Sequence, residues 1–326
     1  MPHAPTLPAF TPDEQSRVHS GLALQVARMM GRKLEEDDWS AVYCAAKGIE
    51  NTGWSNLDID VMNGPLGIEH KMLCYRSKPD LEQACGTSLM HPALTRSIRI
   101  PSVDMPADEV MADVFDQYRL LLEERKLSVM SKYDGSQPIE LRTGWLLWQE
   151  SLRQFMYFEE LTMAPNPEEH VAHWNERGAG GRRKPSKNLW IYEKESGRKR
   201  YSVTTSAGIK IQPYFDVPLP DDPNLYTFTV IGERIDAGHV RAAVTQKTYN
   251  ALAQLTDVDS PRVLSKLILE TVSGLDGSED LLSIASIDEV RFLTLTEDAY
   301  LALGEAFGGV NDDHNFQLLI DILSVL

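Results

Sequence analysis

The segment Asn56-Leu-Asp-Ile-Asp-Val-Met-Asn-Gly-Pro-Leu-Gly-Ile-Glu-His-Lys-Met-Leu73 sets carboxylates and a lysine among alternating apolar residues. Leu57, Ile59 and Val61 alternate with Asp58 and Asp60, and Ile68, His70 and Met72 alternate with Glu69 and Lys71. Successive strand side chains point to opposite faces. Asp58 and Asp60 therefore share one face of a first strand, and Glu69 and Lys71 share one face of a second. A turn near Asn63-Gly64-Pro65 folds one strand on the other, with Asp60 roughly opposite Glu69 and Asp58 roughly opposite Lys71. Carboxylates beside a lysine can hold a divalent cation and a phosphate. The alternative is a solvated sheet face with cross-strand ion pairs.

This arrangement resembles the PD-(D/E)xK nuclease superfamily, which includes most type II restriction endonucleases. The resemblance covers the Asp strand and the Glu-x-Lys strand, with Glu50 upstream as a third part. Leu57 stands where the family often has Pro. Asp58-Ile-Asp-Val61 fits the family's Asp-x-x-Val habit if Asp58 is the metal ligand, whereas proximity to Glu69 favours Asp60, and both are kept. The resemblance implies a Mg²⁺ ion, replaceable by Mn²⁺, held by Asp58 or Asp60 and by Glu69, with the His70 carbonyl completing the shell. The metal would acidify a water. Lys71 would orient or deprotonate that water, or stabilise the oxyanion. Glu50, on a preceding helix, would add a further carboxylate.

The elements that must carry these residues can be read from pattern. Thr11-Pro12-Asp13-Glu14 starts a helix, and Val18, Leu22, Val26 and Met29 recur at helical spacing. A second helix runs from about Glu36 to Ile49, with Trp39, Val42 and Ala46 on one face. Pro106-Ala-Asp-Glu109 opens a long helix through about Lys126. The aromatic stretch Gly144 to Leu161 is expected as a helix packed into the core, with Glu159 and Glu160 on its solvated edge. His170 and His173 could share a helical face, but nothing nearby completes a zinc set. Strands follow at 189–192, 201–205, 209–212 and 226–231. Helices return over 245–273, then a strand at 290–295 and two last helices from Thr296 and through Phe316.

A second feature is ionic. Residues 177–200 carry Arg177, Arg182, Arg183, Lys184, Lys187, Lys194, Arg198, Lys199 and Arg200 against Glu193 and Glu195, in a chain of net charge −16. Such a segment can close over a phosphate backbone, or be a solvated loop. Lys210 and Gln212 share a strand face just beyond it, and Gln can read adenine. The overall charge opposes simple nucleic-acid binding, but it governs solubility and steering rather than one site.

The chain of 326 residues, 42% hydrophobic, is long enough for one large domain or two modest ones. No apolar run reaches the roughly 20 residues that span a bilayer, and no secretory signal opens the chain. Cys44, Cys74 and Cys85 form no framework, which suggests a reducing cytoplasm. There is no Gly-x-Ser-x-Gly elbow, P-loop or dinucleotide fingerprint. The expected architecture is mixed α/β (α+β): a restriction-endonuclease-like mixed sheet flanked by helices, with additional strands and a helical C-terminus. Residues 1–165 would form the nuclease core and 166–326 a strand-rich DNA-contacting region with C-terminal helices, unless 165–188 is a loop inserted in one domain. The expected function is a Mg²⁺-dependent, sequence-specific endonuclease of restriction or phage-defence type, acting as a homodimer on double-stranded DNA. The alternatives are an inactive nuclease-fold DNA-binding or regulatory protein, and an interaction protein with no nucleic-acid role.

Overall fold

The computed structural model describes residues 5–29, 33–51, 59–76, 80–92, 98–100, 102–177, 186–204, 210–230, 232–273, 290–307 and 311–325, with the backbone alone at 28, 177, 186, 210, 233 and 290. In chain order the elements are β1 (Thr6–Leu7), α1 (Pro12–Met29), α2 (Glu36–Lys47), β2 (Val61–Asn63), β3 (Leu66–Cys74), β4 (Ser88–Met90), α3 (Ala107–Lys132), β5 (Glu140–Trp148), β6 (Gln154–Leu161), β7 (His170–Arg177) and β8 (Ser186–Glu193). They continue as β9 (Lys199–Thr204), β10 (Lys210–Asp216), β11 (Tyr226–Thr229), β12 (Glu233–Asp236), β13 (His239–Thr245), α4 (Gln246–Leu255), α5 (Pro261–Val272), β14 (Val290–Thr296), α6 (Glu297–Phe307) and α7 (Asp312–Val325). The protein is thus mixed α/β, as its pattern implies.

The first sheet has the order β1-β6-β5-β3-β2, with β11 also on β6. β2 and β3 form the expected hairpin, pairing Val61 with Ile68 and Asn63 with Leu66. Its two-residue turn is Gly64-Pro65, and Gly64 at φ 58 supplies the positive φ that tight hairpins need. β3 and β5 are parallel. Parallel neighbours need a crossover, and α3 lies within it.

One face of this sheet is covered by α1 and α2. The Thr11 hydroxyl accepts from the Glu14 amide, and the Glu14 carboxylate accepts from the Thr11 amide, the reciprocal cap expected of α1. Asp38 takes the Glu35 amide at 2.9 Å and the Gln25 side chain at 2.5 Å, which fixes the start of α2. Trp39 and Tyr43 of α2 pack on His70 and Tyr157, with ring centres 4.8 to 6.2 Å apart.

On the opposite face α3 serves two sheets. Its first half (Val110, Met111, Val114, Phe115) packs on Ala172, Leu189, Ile191 and Val203. Those residues belong to a second sheet, ordered β4-β10-β9-β8-β7. Its second half (Leu122, Val129) packs on Ile59 and Leu141 of the first sheet region. The third unit is the sheet β12-β13-β14 with α4 to α7, built around Ala242, Val244, Leu264, Leu293 and Phe316. The expected division near residue 165 is crossed at several places, by α3 reaching β7 and β8, by β4 pairing with β10, by β11 pairing with β6 and by α1 packing on β13.

Three sequence expectations fail among these strands. Residues 144–161 are not a helix but the antiparallel pair β5 and β6. Both faces of these strands are covered, so Trp145, Leu146, Leu147 and Trp148 are all buried. A continuous apolar run has no period of two. Glu159 is not on a solvated edge: it is 0% exposed, and Tyr43, Tyr157 and Arg142 all donate to it at 2.9–3.0 Å. His170 and His173 lie on a strand, so their odd spacing sends them to opposite faces rather than one.

Buried histidines give the fold a pH dependence. Burial, with the charge of Lys71 added, holds His70 down to about 3 and His91 down to about 4. Both values lie below the ordinary 6.5, so the unfolded chain binds more protons as pH falls, and stability drops through that window. His70 alone accounts for about 2 kcal/mol between pH 7 and pH 5. Asp312, pushed up to about 6 by burial, acts in the opposite sense. Melting temperature should therefore fall on acidification from pH 7 to 5, less steeply in His70→Leu and more steeply in Asp312→Asn. Parallel slopes in all three proteins would contradict this assignment.

Candidate functional site

Extending the β2–β3 register one step beyond Val61 and Ile68 sets Asp60 opposite Glu69. The Asp60 carboxylate accepts from the His70 amide at 2.7 Å, which ties it to β3 where regular pairing ends. Glu69 and Lys71 point to the α3 face, in register with Thr143 and Trp145 of β5. His70, between them, points the other way, into the α2 packing. One Glu69 oxygen accepts from Lys71 and the other from Arg125 of α3. Glu69, Lys71 and Arg125 are only 18%, 23% and 24% exposed.

Electrostatics bind this group into one unit. Burial raises the Asp60 carboxyl above its usual range, against the pull of the His70 amide, Lys71 and Arg125, and Glu36 adds to the rise. Burial lowers the Lys71 ammonium, and the Asp60 and Glu36 carboxylates pull it back up. Arg125 is likewise lowered by burial and raised by Asp60. In each group burial outweighs the partners, so the charged form is less favoured than in the free side chain although opposite charges pull it part of the way back.

Three residues of this constellation were not anticipated. Arg125 falls on the same stripe as Tyr118, Leu122 and Val129, and a cation on a buried stripe is a signal legible in the sequence. Glu36 is the first residue of α2. It lines a cleft of about 650 Å³ with Lys33, Met72, Cys74, Arg76 and Trp148, among others. His91 follows β4, bonds the Met72 carbonyl through Nε2 at 3.0 Å, and packs its ring on Trp145 at 5.7 Å. Its buried Nδ1 has no hydrogen-bond partner.

The other expected residues fall as follows. Glu50 is not on a helix: Gly48, at φ 68, ends α2 in the left-handed conformation, and Glu50 lies exposed beyond it. The helix carboxylate whose charge reaches Asp60 and Lys71 is Glu36. Asp58, Arg182, Arg183 and Lys184 lie outside the described residues, as do the side chains of Arg177 and Lys210. Lys187 pairs with Glu176 at 3.4 Å. Arg198 and Arg200 both pair with Asp216, at 3.2 and 2.7 Å, and Arg200 also with Glu193. Lys199 sits 3.5 Å over the Trp190 ring. Gln212 is half-buried opposite Ser202.

Among the described residues, no group of three His, Cys, Asp or Glu side chains gathers to cage a metal. Mg²⁺ does not require one, because it keeps several waters and binds through one or two carboxylates plus phosphate. Asp60 and Glu69 fit that demand, provided Glu69 gives up a cation partner. No family model, curated protein or solved structure matches this chain, so what the site can do rests on its own geometry.

Two outcomes test this geometry without reference to activity. In Glu36→Gln, the Asp60 carboxyl should titrate at lower pH than in the parent protein, measured by carbon-13 NMR of labelled aspartate. An unmoved Asp60 would separate Glu36 from the site. Glu69→Gln strands Lys71 and Arg125 beside each other and should cost roughly 1–3 kcal/mol of stability in urea unfolding.

Proposed function

We propose that this chain is a metal-dependent DNA endonuclease built on a restriction-endonuclease-like core. The observation that carries the reading is the meeting of Asp60, Glu69 and Lys71 on one side of the β2–β3 hairpin. The mixed sheet supports it, since helix, hairpin, crossover helix and parallel strand follow in that order around the site.

Asp60 and Glu69 are the residues that would hold Mg²⁺, or Mn²⁺ in its place. When bound, the ion would acidify a water and screen charge on the phosphate. Lys71 has two tasks open to its ammonium: to orient the attacking water by hydrogen bonding, and to meet the negative charge that grows on the phosphate oxygens. The water oxygen bonds to phosphorus, one bridging P–O bond breaks, and the leaving alkoxide takes up a proton. Arg125 can follow the substrate, releasing Glu69 and pairing with a phosphate oxygen instead. Residues 177–200 carry nine cations against two carboxylates, and this local excess would favour a phosphate backbone in a chain of net charge −16. Cutting both strands with one site per chain calls for two copies, and Val263, Leu269 and Leu301 are exposed apolar side chains on α5 and α6 that could meet a second copy.

A second reading has one observation in its favour. Both oxygens of Glu69 are occupied by cations of the protein itself, as they would be in a nuclease fold that binds DNA without cutting it.

Cleavage of long unmethylated DNA in Mg²⁺, with EDTA and Lys71→Ala as controls, separates the two. Discrete fragments that vanish in EDTA and fall about 10²–10⁴-fold in rate in the variant are expected. Intact DNA, retained in a salt-dependent complex across unmodified and methylated substrates, would establish the binding protein instead.

A further inference from the structure

The second sheet has two unlike faces. The inner one carries Ala172, Leu189, Ile191 and Val203 against α3. The outer one is defined by cross-strand register, in three rows. The first joins Asn175, Asn188 and Thr204, and the second joins His173, Trp190, Ser202 and Gln212. The third joins Val171, Tyr192 and Lys199, with Tyr214 beside them within reach of the Lys199 ammonium. Trp190, Tyr192, Gln212 and Tyr214 are half-buried and His173 is exposed.

Three properties of this face belong together. It is aromatic: Lys199 lies 3.5 Å over Trp190 and 5.2 Å from the centre of Tyr214, and the rings of His173 and Tyr192 meet at a tilt with centres 5.9 Å apart. It is rich in amides and hydroxyls, groups that donate and accept at once. And among its described side chains in these rows there is no carboxylate, in a chain with 48 Asp and Glu against 32 Lys and Arg. Asp216, at the end of β10, is held by Arg198 and Arg200.

We propose that this outer face is a platform for unpaired bases, binding single-stranded DNA next to the cleavage site. The proposal rests on the reading of the chain as a nuclease and names the form of substrate it grips outside the site. Aromatic rings stack on any base, amides meet base edges, and a cation tracks the phosphates. Duplex DNA fits poorly. Five strands about 4.8 Å apart span roughly 19 Å, and the major groove is only about 12 Å wide. The platform also joins the site physically. Its edge strand β4 pairs with Tyr214 and Phe215 and runs directly into His91, which bonds the Met72 carbonyl beside Lys71. Phe215 stacks on Trp145 at 4.0 Å, locking sheet to sheet.

The test is binding of a labelled oligothymidine to the full-length protein in EDTA, followed by anisotropy and by tryptophan fluorescence. Saturable binding that weakens with salt, and that a duplex of equal length displaces poorly, is expected. Trp190→Ala and Tyr214→Ala should each weaken it about tenfold, with circular dichroism unchanged, while Lys266→Ala on α5 should leave it as it was. No binding, equal displacement by duplex, or Trp190→Ala binding as the parent does would overturn the platform. The two readings fail separately. Oligothymidine bound by a protein that cuts nothing keeps the platform and removes the nuclease, and cleavage of duplex without oligothymidine binding does the reverse.

Discussion

Everything around the candidate site follows from one demand: Glu69 is a carboxylate held where water barely reaches it. A buried charge persists only if it is paired and hydrogen-bonded. Here its own strand supplies Lys71 and the crossover helix supplies Arg125. α3 can bring Arg125 to that point only if its second half packs on the first sheet, through Leu122 and Val129. Its first half is then free to carry the second sheet. One ion cluster and one long helix thus fix the mutual placement of two sheets.

The far side of the same strands is built for rigidity. His70 alternates with Glu69 and Lys71, so any shift of register would exchange a neutral, fully buried imidazole with two charged groups. Burial keeps His70 neutral well below physiological pH, and Trp39, Tyr43 and Tyr157 enclose it. Glu159 beside it is satisfied by two tyrosine hydroxyls and Arg142. The hydrogen bonds that converge on Glu159 specify one arrangement strongly, while the buried His70 Nε2 and Trp39 Nε1 beside them have no hydrogen-bond partner. The cost of that specificity falls on the face without chemistry, and the chemical face inherits a fixed backbone.

How much of this was legible depended on whether the signal was local. Hairpin register at Asp60 and Glu69 could be read because alternation and a Gly-Pro turn are adjacent in sequence. The cap at Thr11 was readable for the same reason. Glu50 was chosen for its nearness to the hairpin, but Gly48 stops α2 first, and the helix instead brings Glu36 from its opposite end. Arg125 is 56 residues from Glu69, and only tertiary packing joins them. Residues 144–161 misled because a strand covered on both faces loses the alternation that identifies it. The two histidines of β7 misled for a related reason: a spacing of three means one face on a helix and opposite faces on a strand.

The charge of the chain is the last piece, and it argues for segregation rather than against a polyanionic ligand. A net charge of −16 sets the field at a distance, but contact is decided within a Debye length, about 8–10 Å at physiological salt. Within that range the chain sorts its charges. Glu193 and Asp216 are taken up by Arg200 and Arg198. Lys199 is laid over the rings of Trp190 and Tyr214. For the DNA ligand proposed above, the acidic remainder would limit indiscriminate adhesion, and binding would depend on short-range stacking and hydrogen bonding more than on bulk attraction.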